Sequence, residues 1–130
     1  MAFAKEMLEV QKRLQEMGHE VETPCDTQAH VEDPLLRDDF ARNKLHVDEG
    51  DVMMKCFDLV AQSDAVLALN HAQKGIEGYL GASTLMEVGL AGYLRKKIFI
   101  LNPIQPDQRY RHEINLLGGV IINGDLSAIH

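Results

Sequence analysis

The sequence predicts an α/β protein: a three-layer, doubly wound parallel sheet of the flavodoxin-like or Rossmann-like kind, with four to five strands. Three observations carry that expectation. The apolar runs Val66-Leu67-Ala68-Leu69 and Ile98-Phe99-Ile100-Leu101 are continuous rather than alternating, as strands buried on both faces require. Between them lie a polar loop with three glycines and a helical pattern, which together make a strand–helix–strand unit with an expected right-handed crossover. The 130 residues, 45% hydrophobic and 25% charged, fit one soluble globular domain over 1–130 with a core of its own.

The elements follow in order. Phe3, Met7, Val10, Leu14 and Met17 recur at steps of four and three, a single apolar stripe that predicts a helix over 2–17. Gly18 stops it from the position after the last turn. His19-Glu20-Val21-Glu22 predicts a short strand, closed by Thr23-Pro24. Residues 25–47 are polar, broken by Pro34 and long for a plain connection, which predicts a functional lid or a disordered segment, with part of it packing as a short helix from Asp33 onward. A second helix is expected over 48–62, with Asp48, Glu49 and Asp51 at its amino end and Met53, Phe57, Val60 and Ala61 on its buried face. After the central unit come a polar connection over 105–111, a short helix over 113–117, Gly118-Gly119 and a final strand over 120–122. A doubly wound fold normally opens with a strand. This chain opens with a helix, so the first strand is absent or the start is placed too late.

Composition excludes several function classes. A net charge of −7 speaks against a nucleic-acid partner, because binding a phosphate backbone needs clustered Lys and Arg. The one basic run, Arg95-Lys96-Lys97, falls at a helix carboxyl end, where cations suit the dipole. No apolar run reaches the roughly 20 residues of a membrane span, and the amino end lacks an apolar signal core. Cys25 and Cys56 have no metal-ligand spacing, and read as thiols in a reducing cytoplasm. His30 and His46 likewise have no partner at a ligand-like spacing and read as loop residues.

In open α/β sheets ligands bind beyond the carboxyl ends of the strands. Those ends carry Asn70 and Asn102, with Glu87 in the first turn of the helix between them. Each has a plainer reading. Thr84-Leu85-Met86-Glu87 also fits a capping box, with Thr84 as N-cap and Glu87 reaching back to it. Asn70 and Asn102 are also turn formers, Asp64 is also a helix terminator or ion-pair partner, and Tyr79 either stacks on a ligand or is an ordinary loop aromatic. Gly89 and Gly92 suit close packing against the sheet or a second subunit.

The segments 58–67, 81–91 (Gly-Ala-Ser-Thr-Leu-Met-Glu-Val-Gly-Leu-Ala) and 96–99 resemble the nucleoside 2-deoxyribosyltransferase superfamily, in particular its small uncharacterised members. The resemblance spans nearly the whole chain and is most specific in the middle third. It implies a five-stranded parallel sheet of order 2-1-3-4-5 that holds a nucleoside or nucleotide above the strand ends. Glu87, followed by Gly89, matches the glutamate that attacks the anomeric carbon. Asp64 matches an aspartate that places the sugar or protonates the base. Asn70, Tyr79, Gly81, Ser83, Thr84 and Asn102 are the expected substrate-binding residues. No metal or organic cofactor is implied, and a homodimer or higher homo-oligomer is expected.

The chemistry suits those residue types. Cleaving an N-glycosidic bond passes through an oxocarbenium-like state, which a carboxylate stabilises or traps while a second acid protonates the leaving base. Gly75, Gly78 and Gly81 let backbone approach a ligand, and free N–H groups at the helix start suit a phosphate or a sugar hydroxyl. Two departures stand out. The family's Gly-Ser-type turn after its first strand precedes the start of this chain. The aspartate a few residues before the family's glutamate is also missing, since Tyr79-Leu80-Gly81-Ala82 stands there. Residues 81–87 also resemble the Gly-x-Gly-Thr-x-x-Glu signature of lysine decarboxylase-like phosphoribohydrolases, with Ser83 in place of the middle glycine. A non-catalytic nucleotide-binding or dimerising domain is the alternative of a different class.

Overall fold

The computed structural model describes residues 4–23, 49–72 and 75–129. The lid expected over 25–47, with its short helix, lies outside the described residues, as do Cys25, His30 and His46. The chain divides into two compact units, 1–56 and 57–130.

The described part of the first unit opens with α1, Ala4–Glu16. Its stripe behaves as the spacing predicts at Leu14, which is buried, while Met17 lies beyond the helix and is exposed. Gly18 takes φ +96 just after the helix. The His19 amide donates back to the Leu14 carbonyl (3.1 Å) and the Gly18 amide to that of Gln15 (3.0 Å). This is a Schellman closure, which satisfies carbonyls the helix leaves open. The strand expected over 19–22 does not form among the described residues. Val21 is the only aliphatic side chain there, too little to hold a register, and its carbonyl accepts instead from Gln11 Nε2 (2.9 Å).

Helix α2, Glu49–Gln62, runs across the division between the units. It ends where Ser63 bonds back, its hydroxyl to the Leu59 carbonyl (2.6 Å) and its amide to that of Val60 (3.1 Å). Val60 is buried and Met53 and Phe57 are half-buried, but Ala61 is exposed. One residue beyond Val60 is a 100° turn of the helix, which carries Ala61 off the apolar stripe.

The second unit holds an all-parallel three-stranded sheet in the order β1 (Ala65–Ala68), β2 (Lys97–Ile100), β3 (Val120–Ile121). Helix α3 (Ala82–Tyr93) connects β1 to β2, and α4 (Tyr110–Leu116) connects β2 to β3. The protein is thus α/β, with three strands among the described residues. Val66 pairs with Ile98, Ala68 with Ile100, and Ile100 with Ile121. The period of two sets these five side chains on one face and Leu67, Phe99 and Val120 on the other. Ile98, Phe99 and Ile100 are all buried, which is why β2 reads as a continuous apolar run. The core joins Ala68, Ile98 and Ile100 to Val88 and Ala91 of α3, Ile114 of α4, Val60, Leu80 and Ile104. Burying each such aliphatic side chain stabilises by about 1.5–3 kcal/mol before chain entropy is counted.

Both sheet-facing helices end as α1 does. Lys96 N donates to Ala91 O (2.9 Å), and Gly119 N to Ile114 O (3.0 Å). The left-handed residue is Gly118 (φ +86) after α4, but it is Arg95 (φ 61) after α3. A side chain in that conformation costs roughly 1–2 kcal/mol. The Arg95→Gly variant is expected to gain about 0.5–1 kcal/mol after the added flexibility of its unfolded chain is discounted. A urea midpoint raised at unchanged slope is the expected reading; an unchanged or lower midpoint refutes it.

Candidate functional site at the carboxyl edge of the sheet

Beyond Ala68 and Ile100 the two strands diverge, and here Asn70 and Asn102 meet. The last backbone ladder bond runs from the Leu101 amide to the Ala68 carbonyl (3.0 Å). Asn70 Oδ1 then accepts from the Asn102 amide (2.7 Å), and Asn70 Nδ2 donates to the Asn102 carbonyl (2.6 Å). The same Nδ2 donates to the Gly78 carbonyl (3.3 Å), and Asn102 Nδ2 donates to the Asn70 carbonyl (3.3 Å). Asn70 is 0% exposed. A primary amide has two N–H donors, and both of these are spent inside the protein. The structure therefore gives Asn70 an architectural role where the sequence suggests substrate binding. Asn102 is half-buried.

The β1–α3 loop folds back over this junction. Gly78 has φ +70, and a Cβ there would stand 2.1 Å from the Pro103 carbonyl oxygen, a contact no side chain tolerates. Leu80, buried in the core, donates its amide to the Tyr110 hydroxyl (3.2 Å), which ties the start of α3 to α4.

Between the two loops opens a depression of about 480 Å³, within the usual range of small-molecule sites. Ala72, Pro103, Ile104 and Pro106 form its apolar wall, and Glu77, Asn102 and Gln105 supply the polar groups. Of the expected substrate-binding residues, Asn70 and Asn102 line it; Tyr79, Gly81, Ser83 and Thr84 do not. Glu77 and Gln105 are not legible as site residues from their own neighbourhoods. The available signal was the pair Pro103 and Pro106 directly after a parallel strand, where the ligand crevice of an α/β sheet lies.

Helix α3 begins earlier than the capping-box reading requires. Its N-cap is Gly81, extended at φ −75 and ψ 166, with no side-chain cap; the Leu85 amide already donates to the Gly81 carbonyl (3.0 Å). Thr84 is thus inside the helix, and Glu87 lies in the second turn rather than the first. Ser83 is exposed and Thr84 half-buried. Glu87 does not line the depression. Its carboxyl is half-buried, with no hydrogen-bond or ion-pair partner among the described residues, and burial raises its pKa above the ordinary 4.5. Asp64 sits exposed at the opposite, amino end of β1, where its carbonyl accepts from the Lys97 amide (3.1 Å). Six residues of extended chain, about 20 Å, separate it from Asn70. The structure therefore does not bring Asp64 to the carboxyl edge.

Among the described residues no cluster of three His, Cys, Asp or Glu side chains is placed to hold a metal ion, and no helix is long and apolar enough to cross a membrane. Compared with family models, curated proteins and solved structures, the chain matches none.

Two expectations follow. Asn70→Ala strands the Asn102 amide and two carbonyls in the interior, at about 1–3 kcal/mol for each unsatisfied group. A loss of at least about 3 kcal/mol in urea unfolding is expected; less than about 1 kcal/mol would mean that the junction does not hold the strand ends together. For Glu87, a raised native pKa means the folded state binds the proton more tightly than the unfolded chain, so stability falls as pH rises from 4.5 through the native value. Glu87→Gln removes that loss. The variant's stability advantage over wild type should grow with pH across this window and level off above it, in urea titrations from pH 4 to 8. A pH-independent difference would show that Glu87 is not desolvated.

Proposed function

We propose that the protein binds a nucleoside or nucleotide over the carboxyl edge of β1 and β2 and cleaves or transfers its N-glycosidic bond, with Glu87 as the attacking carboxylate. The observation that carries this is Glu87 itself: a half-buried carboxyl with a raised pKa and no described partner. Desolvating an acid without compensation costs stability, and such groups concentrate at functional sites. The resemblance of residues 81–91 to the nucleoside 2-deoxyribosyltransferase superfamily supplies the reaction class. The parallel order β1-β2-β3 is compatible with the last three strands of a 2-1-3-4-5 sheet. On this reading the complete architecture is doubly wound with four to five strands, and the protein works in the cytoplasm as a homodimer or higher homo-oligomer.

In the reaction, the C1′–N bond breaks as the Glu87 carboxylate approaches C1′ from the opposite face, and the bonding pair leaves with the base. The resulting glycosyl ester is opened by water, which gives hydrolysis, or by a second base, which gives transfer. Either outcome restores the carboxylate. Since Asp64 lies a strand's length from Asn70, the departing base takes its proton from solvent in this scheme. Attack needs Glu87 ionised, so the raised pKa predicts a rate that climbs with pH through a value above 4.5.

One observation favours a non-catalytic binding domain as the second reading. Two residues expected to serve the substrate, Asn70 and Asp64, are respectively sealed inside the fold and placed at the far end of β1. A single assay separates the two readings. Wild type and Glu87→Ala are incubated with a panel of nucleosides, deoxynucleosides and their 5′-monophosphates, and free base is followed by chromatography. The enzyme reading expects base release that falls at least about a hundredfold in the variant. Release that survives the substitution removes Glu87 from the mechanism, and silence across the panel leaves the binding domain.

A further inference from the structure

The polar lining of the depression is unequal in hydrogen-bond character. Glu77 is exposed and, when ionised, only accepts. Asn102 gives one N–H of its Nδ2 to the Asn70 carbonyl (3.3 Å), which leaves its second N–H as a donor and Oδ1 as an acceptor without a partner among the described residues. Asn70 is closed by its own bonds. Gln105 and the second N–H of Asn102 are the donors among the described lining side chains, both of them neutral amides, and no Lys, Arg or His stands among the lining residues described. The uncapped start of α3, Gly81 and Ala82, is not part of the lining either.

We propose that the depression accepts the hydroxyl- and amino-bearing part of an uncharged or cationic ligand and turns phosphate away, and that Glu77 decides between them. This deepens the function proposed above and rests on its nucleoside-or-nucleotide reading. A phosphate ester has acceptor oxygens and close to two negative charges at neutral pH. Against Glu77 it meets like charge and at the Asn102 oxygen acceptor faces acceptor, and the neutral amide N–H groups of Asn102 and Gln105 do not offset that charge. Sugar hydroxyls and exocyclic amines are donors, and they complement the same two groups. The wall of Pro103, Ile104 and Pro106 suits the faces of a ring, and the volume of about 480 Å³ admits one of nucleoside size.

The test measures binding rather than turnover, with adenosine and adenosine 5′-monophosphate as probes at fixed ionic strength. Titration calorimetry is run on the full chain carrying Glu87→Ala, alone and combined with Glu77→Lys. A second combination with Glu113→Lys, at an exposed position on α4, makes the same change in net charge away from the depression. With Glu77 in place, adenosine should bind at least about tenfold more tightly than the monophosphate. Glu77→Lys should bring the two to parity or invert them, and Glu113→Lys should leave the ratio within about twofold. A monophosphate that binds as well as adenosine beside Glu77 overturns the proposal. So does a ratio that Glu113→Lys moves as far as Glu77→Lys, or the absence of binding by either probe. The fate of the Glu87 mechanism is read separately, from base release by wild type: a tenfold ratio without base release leaves this proposal standing and only the catalytic reading fallen.

Discussion

The arrangement depends first on one side-chain amide. Parallel strands that part at their carboxyl ends leave backbone donors and acceptors with no ladder to join, and in an interior such groups must be satisfied. Asn70 continues the ladder after the backbones have separated: its Oδ1 and Nδ2 stand in for a peptide carbonyl and amide opposite residue 102. The third bond, to the Gly78 carbonyl, draws the β1–α3 loop onto the same point. Gly78 can approach Pro103 only because it has no Cβ. A single buried amide thus fixes two strand ends and the loop between them, and the depression is the space this junction leaves open.

The helix ends repeat one device. Each of α1, α3 and α4 ends in the same pair of reversed bonds with a left-handed residue behind it. In α3 and α4 the closure leads straight into the next strand, so it determines where β2 and β3 begin. Leu117 packs on Gly92, where a Cβ would stand 2.6 Å from its Cδ2, and this brings the carboxyl ends of the two helices together. The helix ends are thereby fixed at the amino side of the sheet.

Much of this was legible in the residues, for physical reasons that differ by element. The strands declared themselves because β2 is covered on both faces and so carries Ile98, Phe99 and Ile100 without a polar break. Gly18 marked a helix end because left-handed backbone favours glycine. Arg95 hid the same geometry, since nothing in its residue type signals it. The strand expected over 19–22 failed because one valine does not outweigh the hydrogen bond that Gln11 offers its carbonyl. At the site, Asn70 and Asn102 were legible from their position, but not that Asn70 is the fully buried one of the pair. Side-chain amides look alike in sequence, and only the fold shows which of the two is closed by its own hydrogen bonds. Glu77 and Gln105 were missed because loop residues acquire a common surface only when Gly78 brings the loops together.

Glu87 shows how a one-turn shift changes what a residue means. Had α3 started after Thr84, Glu87 would have been its capping partner, its charge stabilised by backbone N–H groups and its burial explained by the fold alone. The helix starts after Gly81 instead. Glu87 therefore sits a turn too deep to cap anything, with a carboxyl that is desolvated and uncompensated among the described residues. A glutamine of the same shape would fill that position at lower free energy at neutral pH. Among the described residues nothing offsets that desolvation, and this is the observation on which the proposed role of Glu87 rests.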